Sequence, residues 1–243
     1  MALSVEAVAC LSDNYLWLLK DAATGMVAIC DPGEAGPAIA AIEAGGGRLD
    51  MVLLTHHHGD HIAGAEELRQ RYGAKLVGAS ADARRLPPLD LALAAGEKVA
   101  LGASEAVVID TPGHTRGHIA FHFPTARVLL CGDTLFSLGC GRLLEGNAAE
   151  MYESLHKLGA LPGETLVCCG HEYTESNARF ALTVEPNNTA LVARSAEARV
   201  QRAAGRPTVP TTMAQELATN PFLRAGSVAR LAEIRSAKDS FRG

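Results

Sequence analysis

The segment Asp50-Met51-Val52-Leu53-Leu54-Thr55 reads as a buried strand that runs straight into His56-His57-His58-Gly59-Asp60-His61, and no other stretch constrains the fold as tightly. Side chains alternate along an extended chain, so His56 and His58 face one way and His57 the other. Asp60 then opens the amphipathic pattern that runs from His61 to Leu68, a position where aspartate suits a helix N-cap. A strand end and a helix start thereby aim His56, His58, Asp60 and His61 at one small volume. Imidazole and carboxylate donors together suit zinc or iron-like ions better than calcium.

An exposed histidine-rich loop would be the bland alternative, but three further polar pieces follow apolar runs in the same manner. Val107–Asp110 leads to Thr111-Pro112-Gly113-His114, Val128–Cys131 leads to Gly132-Asp133-Thr134, and Leu166–Cys169 leads to Gly170-His171-Glu172-Tyr173. Strand ends are where α/β folds place their ligands. One ligand from each piece brings the set to His56, His58, Asp60, His61, His114, Asp133 and His171. Seven ligands exceed one tetrahedral ion and suit two, with Asp133 as the natural bridge. His57, His118, His122 and His156 are read as non-ligating, and the six cysteines as core residues of a reduced, cytoplasmic chain.

Strand-like runs and helical patterns mix over the first 170 residues, which indicates an α/β protein. The spacing predicts strands near 3–9, 15–20, 26–31, 51–55, 74–78, 106–110, 118–123, 126–131 and 165–169, and helices near 35–45, 60–72, 80–85 and 148–159. Beyond Gly170 the pattern is helical, near 174–184, 187–204, 212–218 and 226–238, so the chain divides into a metal-binding domain, 1–170, and a helical appendage, 171–243. Charge divides with it: residues 1–170 hold 12 basic and 20 acidic groups, whereas 171–243 hold 10 and 7. The overall balance of −5 and an aromatic content of 5% disfavour nucleic acid as a partner. No run reaches the length of a membrane span, and the apolar start lacks the basic flank of an export signal.

The His56–His61 signature with His114, Asp133 and His171 resembles the metallo-β-lactamase superfamily, and within it the glyoxalase II (hydroxyacylglutathione hydrolase) family. The distinctive matches are Gly132-Asp133-Thr134-Leu135-Phe136, Gly139-Cys140-Gly141-Arg142, Gly170-His171-Glu172-Tyr173-Thr174, Glu185-Pro186-Asn187 and Asn220-Pro221-Phe222-Leu223-Arg224. The resemblance implies an αββα sandwich followed by a helical substrate-binding domain. It assigns His56, His58 and His114 to one metal, Asp60, His61 and His171 to the other, and Asp133 to both. It further implies hydrolysis of S-(2-hydroxyacyl)glutathione, with S-lactoylglutathione as leading substrate, by a metal-bridging hydroxide, the second step of methylglyoxal detoxification. Asp60 and Asp133 are then the catalytic carboxylates. Zinc is the first expectation for the metal, with iron or manganese as alternatives, and the chain is expected to act as a monomer.

Glutathione contacts carried over from the family are Arg142, Tyr173, Arg235 and Lys238. Arg235 and Lys238 stand three apart on a helical pattern and so share a face, where a glycyl carboxylate would find charge-assisted partners. Two positions depart from the family: Leu144 stands where a tyrosine is common, and Gly59 where a tryptophan is common. A mononuclear-iron persulfide dioxygenase is the main competing reading, disfavoured by the complete second ligand set. A secreted β-lactamase, a nucleic-acid-processing relative and a non-catalytic metal module are weaker ones.

Overall fold

The structure is a computed structural model that describes residues 3–243, arranged as two compact units. The first comprises residues up to Asp110 together with Gly117–Gly132; the second comprises Thr111–Arg116 and Asp133–Gly243. The change of composition at residue 170 therefore lies inside the second compact unit.

In the first unit the chain runs β1 (Leu3–Cys10), β2 (Asn14–Asp21), β3 (Val27–Cys30), α1 (Ala35–Ala44), β4 (Met51–Leu53), α2 (Gly59–Ile62), α3 (Ala65–Tyr72), β5 (Lys75–Ala79) and β6 (Leu91–Leu93). These strands form one mixed sheet in the order β1-β2-β3-β4-β5-β6. The β1–β2 and β2–β3 pairs are antiparallel, and β3 to β6 are parallel. Parallel strands are covered on both faces, and β3 and β4 are buried at every residue. Leu16, Ile29, Val52, Leu54 and Leu76 pack with Ala38 and Ile42 of α1 and Leu68 of α3 in one apolar cluster. The register sets Cys30 beside Leu53 and Leu53 beside Val77, so the carboxyl ends of β3 and β4 lie side by side. A second, antiparallel run follows: β7 (Lys98–Leu101), β8 (Ser104–Asp110), β9 (Ile119–Phe123) and β10 (Val128–Gly132).

The second unit contains the short hairpin β11 (Leu135–Phe136) and β12 (Gly139–Cys140), α4 (Ala148–Gly159), β13 (Leu166–Cys169), α5 (Thr174–Val184), α6 (Thr189–Ala203), β14 (Thr211–Thr212), α7 (Met213–Thr219) and α8 (Val228–Ser240). Asn147 starts α4 through a capping box, accepting the Glu150 backbone N–H while the Glu150 carboxylate accepts that of Asn147. Buried Glu216 on α7 accepts the Leu138 N–H at 2.9 Å, the Thr211 hydroxyl at 2.8 Å and the Asn220 amide at 3.1 Å. It thereby pins β14, α7 and the loop before β12 together, and its burial raises the carboxyl pKa.

Two helices read from the sequence differ in the structure. The pattern 60–72 is broken into α2 and α3 at Ala63-Gly64, because Gly64 passes so close to the main chain of Pro32–Ala35 that a Cβ would stand 2.6 Å from the Glu34 carbonyl carbon. The pattern 80–85 yields a single 3-10 turn, Ser80–Asp82, ahead of the Pro87-Pro88 pair. Asp60 is not the N-cap: His58 occupies that position and Asp60 lies inside the first turn of α2. The remaining helices fall within a few residues of their expected bounds. The short strands β6, β7, β11, β12 and β14 went unread.

Candidate active site

The first unit contributes four of the expected ligands from the carboxyl end of β4 and the start of α2. His56 is fully buried, and its Nε2 lies 3.1 Å from Nδ1 of His58. A carboxylate that the sequence reading did not single out organises this cluster. Asp31, buried just beyond β3, accepts the Thr55 backbone N–H at 2.8 Å on Oδ1, and on Oδ2 the Thr55 hydroxyl at 2.6 Å and His61 Nδ1 at 3.1 Å. With the Thr55 proton committed to Asp31, Thr55 Oγ1 accepts from His56 Nδ1 at 3.0 Å. Both imidazoles are thereby fixed with Nε2 unprotonated and available to a cation, the usual orienting device for metal-binding histidines. Asp60 Oδ2 lies 3.6 Å from His61 Nε2 and accepts the Asn14 amide at 3.0 Å.

The second unit contributes the other three. His114 gives its Nδ1 proton to the Arg142 carbonyl at 2.9 Å, which leaves Nε2 facing Asp133 Oδ2 at 3.4 Å. His171 Nε2 approaches the same oxygen, also at 3.4 Å. The His171 ring is stacked on Tyr173, with centroids 4.6 Å apart and planes 6° from parallel, and meets Phe136 edge-on. Gly113 precedes His114 at φ 144°, a backbone angle that a side chain rarely allows, and packs on Met151 of α4.

The donor atoms fit a metal on two counts. Two atoms held at about 2.0–2.1 Å by one tetrahedral cation stand about 3.3–3.4 Å apart. The nitrogen–nitrogen and nitrogen–carboxylate separations within each unit run from 3.1 to 3.6 Å. The donors are imidazoles and carboxylates, the set that zinc, iron and manganese accept. Asp31, His56 and His61 also form a close buried cluster, but Asp31 Oδ2 already receives two hydrogen bonds, which makes it the orienting carboxylate.

Within the second unit, a cavity of about 420 Å³ has His114 and Asp133 on its wall together with Arg142, Tyr173, Arg235 and Lys238. All four expected substrate contacts thus line one cavity with two of the expected ligands. Buried Arg235 donates to the Cys140 carbonyl at 2.9 Å and pairs with Asp239 at 2.8 Å, with its guanidinium over the Phe222 ring. Lys238 Nζ lies 3.2 Å from both the hydroxyl and the carbonyl of Ser176 and sits above Phe180 and Phe241. Burial, followed by the charges of Arg235, Arg179 and Arg142, pushes its pKa down to about 8.

The other histidines have separate settings. His57 Nδ1 meets buried Asp82 at 3.1 Å, His118 stacks on His56, His122 lies inside β9 with its pKa lowered by burial, and His156 stacks on Tyr152. All six cysteines are buried. Leu144 is 59% exposed, and a Cβ on Gly59 would meet no atom within 4 Å. Among the described residues no helix is long and apolar enough to cross a membrane.

Comparison with known proteins agrees with this geometry. The metallo-beta-lactamase superfamily profile matches residues 15–171, and the hydroxyacylglutathione hydrolase C-terminus profile matches 172–241. A hydroxyacylglutathione hydrolase of Cereibacter sphaeroides (strain ATCC 17029 / ATH 2.4.9) is 52% identical, over 99% of this chain and 100% of its own length. One from Acidiphilium cryptum is 56% identical, over 98% and 97%. Among solved structures, ETHE1 from Myxococcus xanthus superimposes with a TM-score of 0.73 at 26% identity, over 98% of this chain and 92% of that one. The BLEG-1 B3 metallo-beta-lactamase, at 23% identity and a TM-score of 0.69 over 90% and 99%, shares the fold. With its mixed sheet, antiparallel strands, helices, buried His/Asp clusters and helical C-terminal region, the chain belongs to the hydroxyacylglutathione hydrolase (glyoxalase II) family of the metallo-beta-lactamase superfamily.

Proposed function

We propose that, as the hydroxyacylglutathione hydrolase (EC 3.1.2.6) its family makes it, the protein hydrolyses S-lactoylglutathione and related 2-hydroxyacyl thioesters with the residues identified above. The observation that carries this reading is the cavity wall on which the metal-type donors His114 and Asp133 stand beside Arg142, Tyr173, Arg235 and Lys238. Cations suited to the substrate's carboxylates and donors suited to a metal at its thioester carbonyl thus line one cavity.

His56, His58 and His114 would hold one divalent ion, Asp60, His61 and His171 a second, and Asp133 both, with zinc the first candidate and iron or manganese alternatives. Ions bound there would acidify water and polarise the thioester carbonyl. The chain's own groups supply the rest. Asp31 and Thr55 hold the imidazole tautomers. Tyr173 buttresses His171 through ring stacking. Arg235 and Lys238 attract the glycyl carboxylate, and the exposed Arg142 adds its charge to the same cavity wall. The departing thiolate has a parent pKa of about 8.5, so no strong general acid is needed. Asp60, beside His61 and Asn14, is a metal ligand first and at most assists proton transfer.

In this reading residues 1–170 are the catalytic domain and 171–243 the substrate-binding domain, working as a cytoplasmic monomer. Steady-state kinetics on several glutathione thioesters, with metal analysis of the same sample, test it. Turnover that a chelator abolishes, with close to two ions per chain, is expected. Absence of thioester turnover would overturn the hydrolase reading, and oxygen uptake with glutathione persulfide at one iron per chain would put the dioxygenase reading in its place.

A further inference from the structure

The cavity of the second unit carries one acidic side chain that neither the metal nor the carboxylate contacts account for. Arg235, Lys238 and Asp239 stand at helical spacing on α8, Arg242 follows just past its end, and all four line the cavity. Asp239 Oδ1 takes Arg235 at 2.8 Å and lies 3.9 Å from Nε of Arg142. Its Oδ2 accepts no hydrogen bond from any described residue, and the side chain is 44% exposed. The other carboxylate on the wall, Asp133, is engaged by His114 and His171. Four cations, Arg142, Arg235, Lys238 and Arg242, therefore share the cavity wall with the buried carboxylate of Asp133 and the half-exposed one of Asp239.

Glutathione carries carboxylates at both ends and one ammonium, on the γ-glutamyl residue. A purely cationic cavity would bind the carboxylates and repel the ammonium. We propose that Asp239 is the specificity-determining residue for the cationic end of the substrate: Oδ2 receives the γ-glutamyl ammonium while Oδ1 keeps Arg235 aimed at a carboxylate. The inference rests on the hydrolase reading above and adds a charge-selective contact to it. Substrates that lack the ammonium lose that contact and meet the cavity's excess positive charge only with their carboxylates.

A two-by-two comparison isolates the contact. S-lactoylglutathione and its N-acetylated form, in which the ammonium is replaced by a neutral amide, are each measured with the wild-type protein and with Asp239→Asn. Asparagine keeps an oxygen that can accept from Arg235, so the substitution removes charge with little change of shape. Acetylation is expected to raise KM of the wild type about tenfold, the scale of one charge-assisted hydrogen bond. In Asp239→Asn, KM for the parent thioester should rise by a similar factor, and acetylation should add less than about twofold. If acetylation costs the same in both proteins, Asp239 does not read the ammonium and acts on Arg235 alone. Calorimetric binding of glutathione and N-acetylglutathione reads the same coupling without turnover. A lack of hydrolysis would thus remove the proposed reaction and still leave the subsite tested.

Discussion

Asp31 Oδ2 stands 3.1 Å from His61 Nδ1 and 2.6 Å from the hydroxyl of Thr55, so a single buried carboxylate sets the tautomers of two imidazoles. The Thr55 oxygen passes the effect to His56 at 3.0 Å. Orienting partners of this kind contribute about 10–100-fold to metal affinity. Asp31 sits at φ 52°, a left-handed conformation that asparagine also tolerates, so Asp31→Asn tests the electrostatics without forcing the backbone. Its amide presents a donor where the carboxylate presented only acceptors. Metal retention against a competing chelator is expected to fall by about 10–100-fold, with the unfolding midpoint of the metal-free protein little changed. Retention equal to wild type would show that the imidazoles need no anionic partner.

Asp31 also shows where the sequence stops being informative. The ligand set stands out because each member follows an apolar run that is itself legible as a strand. Asp31 follows such a run too, but in Asp31-Pro32-Gly33 it reads as turn chemistry. Its role comes from the parallel β3–β4 pairing, which sets residues 24 positions apart side by side. The division of helix 60–72 has the same origin. The local pattern is helical throughout, and the break at Gly64 is imposed by the main chain of Pro32–Ala35. Strands of two residues, such as β11 and β14, carry no period to detect. On the helical side, the expected spacing of Arg235 and Lys238 did place both on one cavity wall.

Lys238 gives a pH dependence with a defined sign. Its pKa is pushed down to about 8, with burial the largest cause, so the ammonium that attracts a carboxylate is present below that value and lost above it. A bound carboxylate favours the protonated form, so affinity is full well below pH 8 and falls as pH rises through it. KM for S-lactoylglutathione is therefore expected to climb above pH 8. In Lys238→Arg, whose guanidinium stays charged, that rise should disappear, and in Lys238→Met KM should be about 10–100-fold higher at neutral pH. A rise that persists unchanged in Lys238→Arg would assign the titration to another group.

Leu144 offers a gain of function. It is 59% exposed and lies two residues past Arg142 of the cavity wall, where the family resemblance implies a tyrosine. A neutral hydrogen bond contributes about 0.5–1.5 kcal/mol, so Leu144→Tyr is expected to lower KM for glutathione thioesters by about 2–12-fold. The same substitution should leave KM unchanged for a thioester lacking the glutathione peptide. Equal changes for both would indicate a general effect on the cavity rather than a new contact to the peptide.

Gly59 and Gly64 lie five residues apart beside the same histidine cluster, and they should respond oppositely to alanine. At Gly59, the first residue of α2, an added Cβ meets nothing within 4 Å and φ is not positive, so the site can accept a side chain. Alanine there restricts the unfolded chain and should stabilise the protein by about 0.4–1 kcal/mol. At Gly64 the added atom would stand 2.6 Å from the Glu34 carbonyl carbon, 2.7 Å from Ala35 N and 2.9 Å from the Pro32 oxygen, all main-chain atoms that cannot swing away. The Gly64 N–H bond to Pro32, at 2.9 Å, would have to lengthen as the segments separate. The overpacking cost is about 1–3 kcal/mol or more. Chemical unfolding of the two variants in metal-free buffer reads both numbers. Because Asp31 adjoins Pro32, Gly64→Ala should also weaken metal retention, whereas Gly59→Ala should not. Equal stability of the two variants would mean that the main chain of Pro32–Ala35 yields to Gly64 at no cost, and that the break between α2 and α3 has another cause.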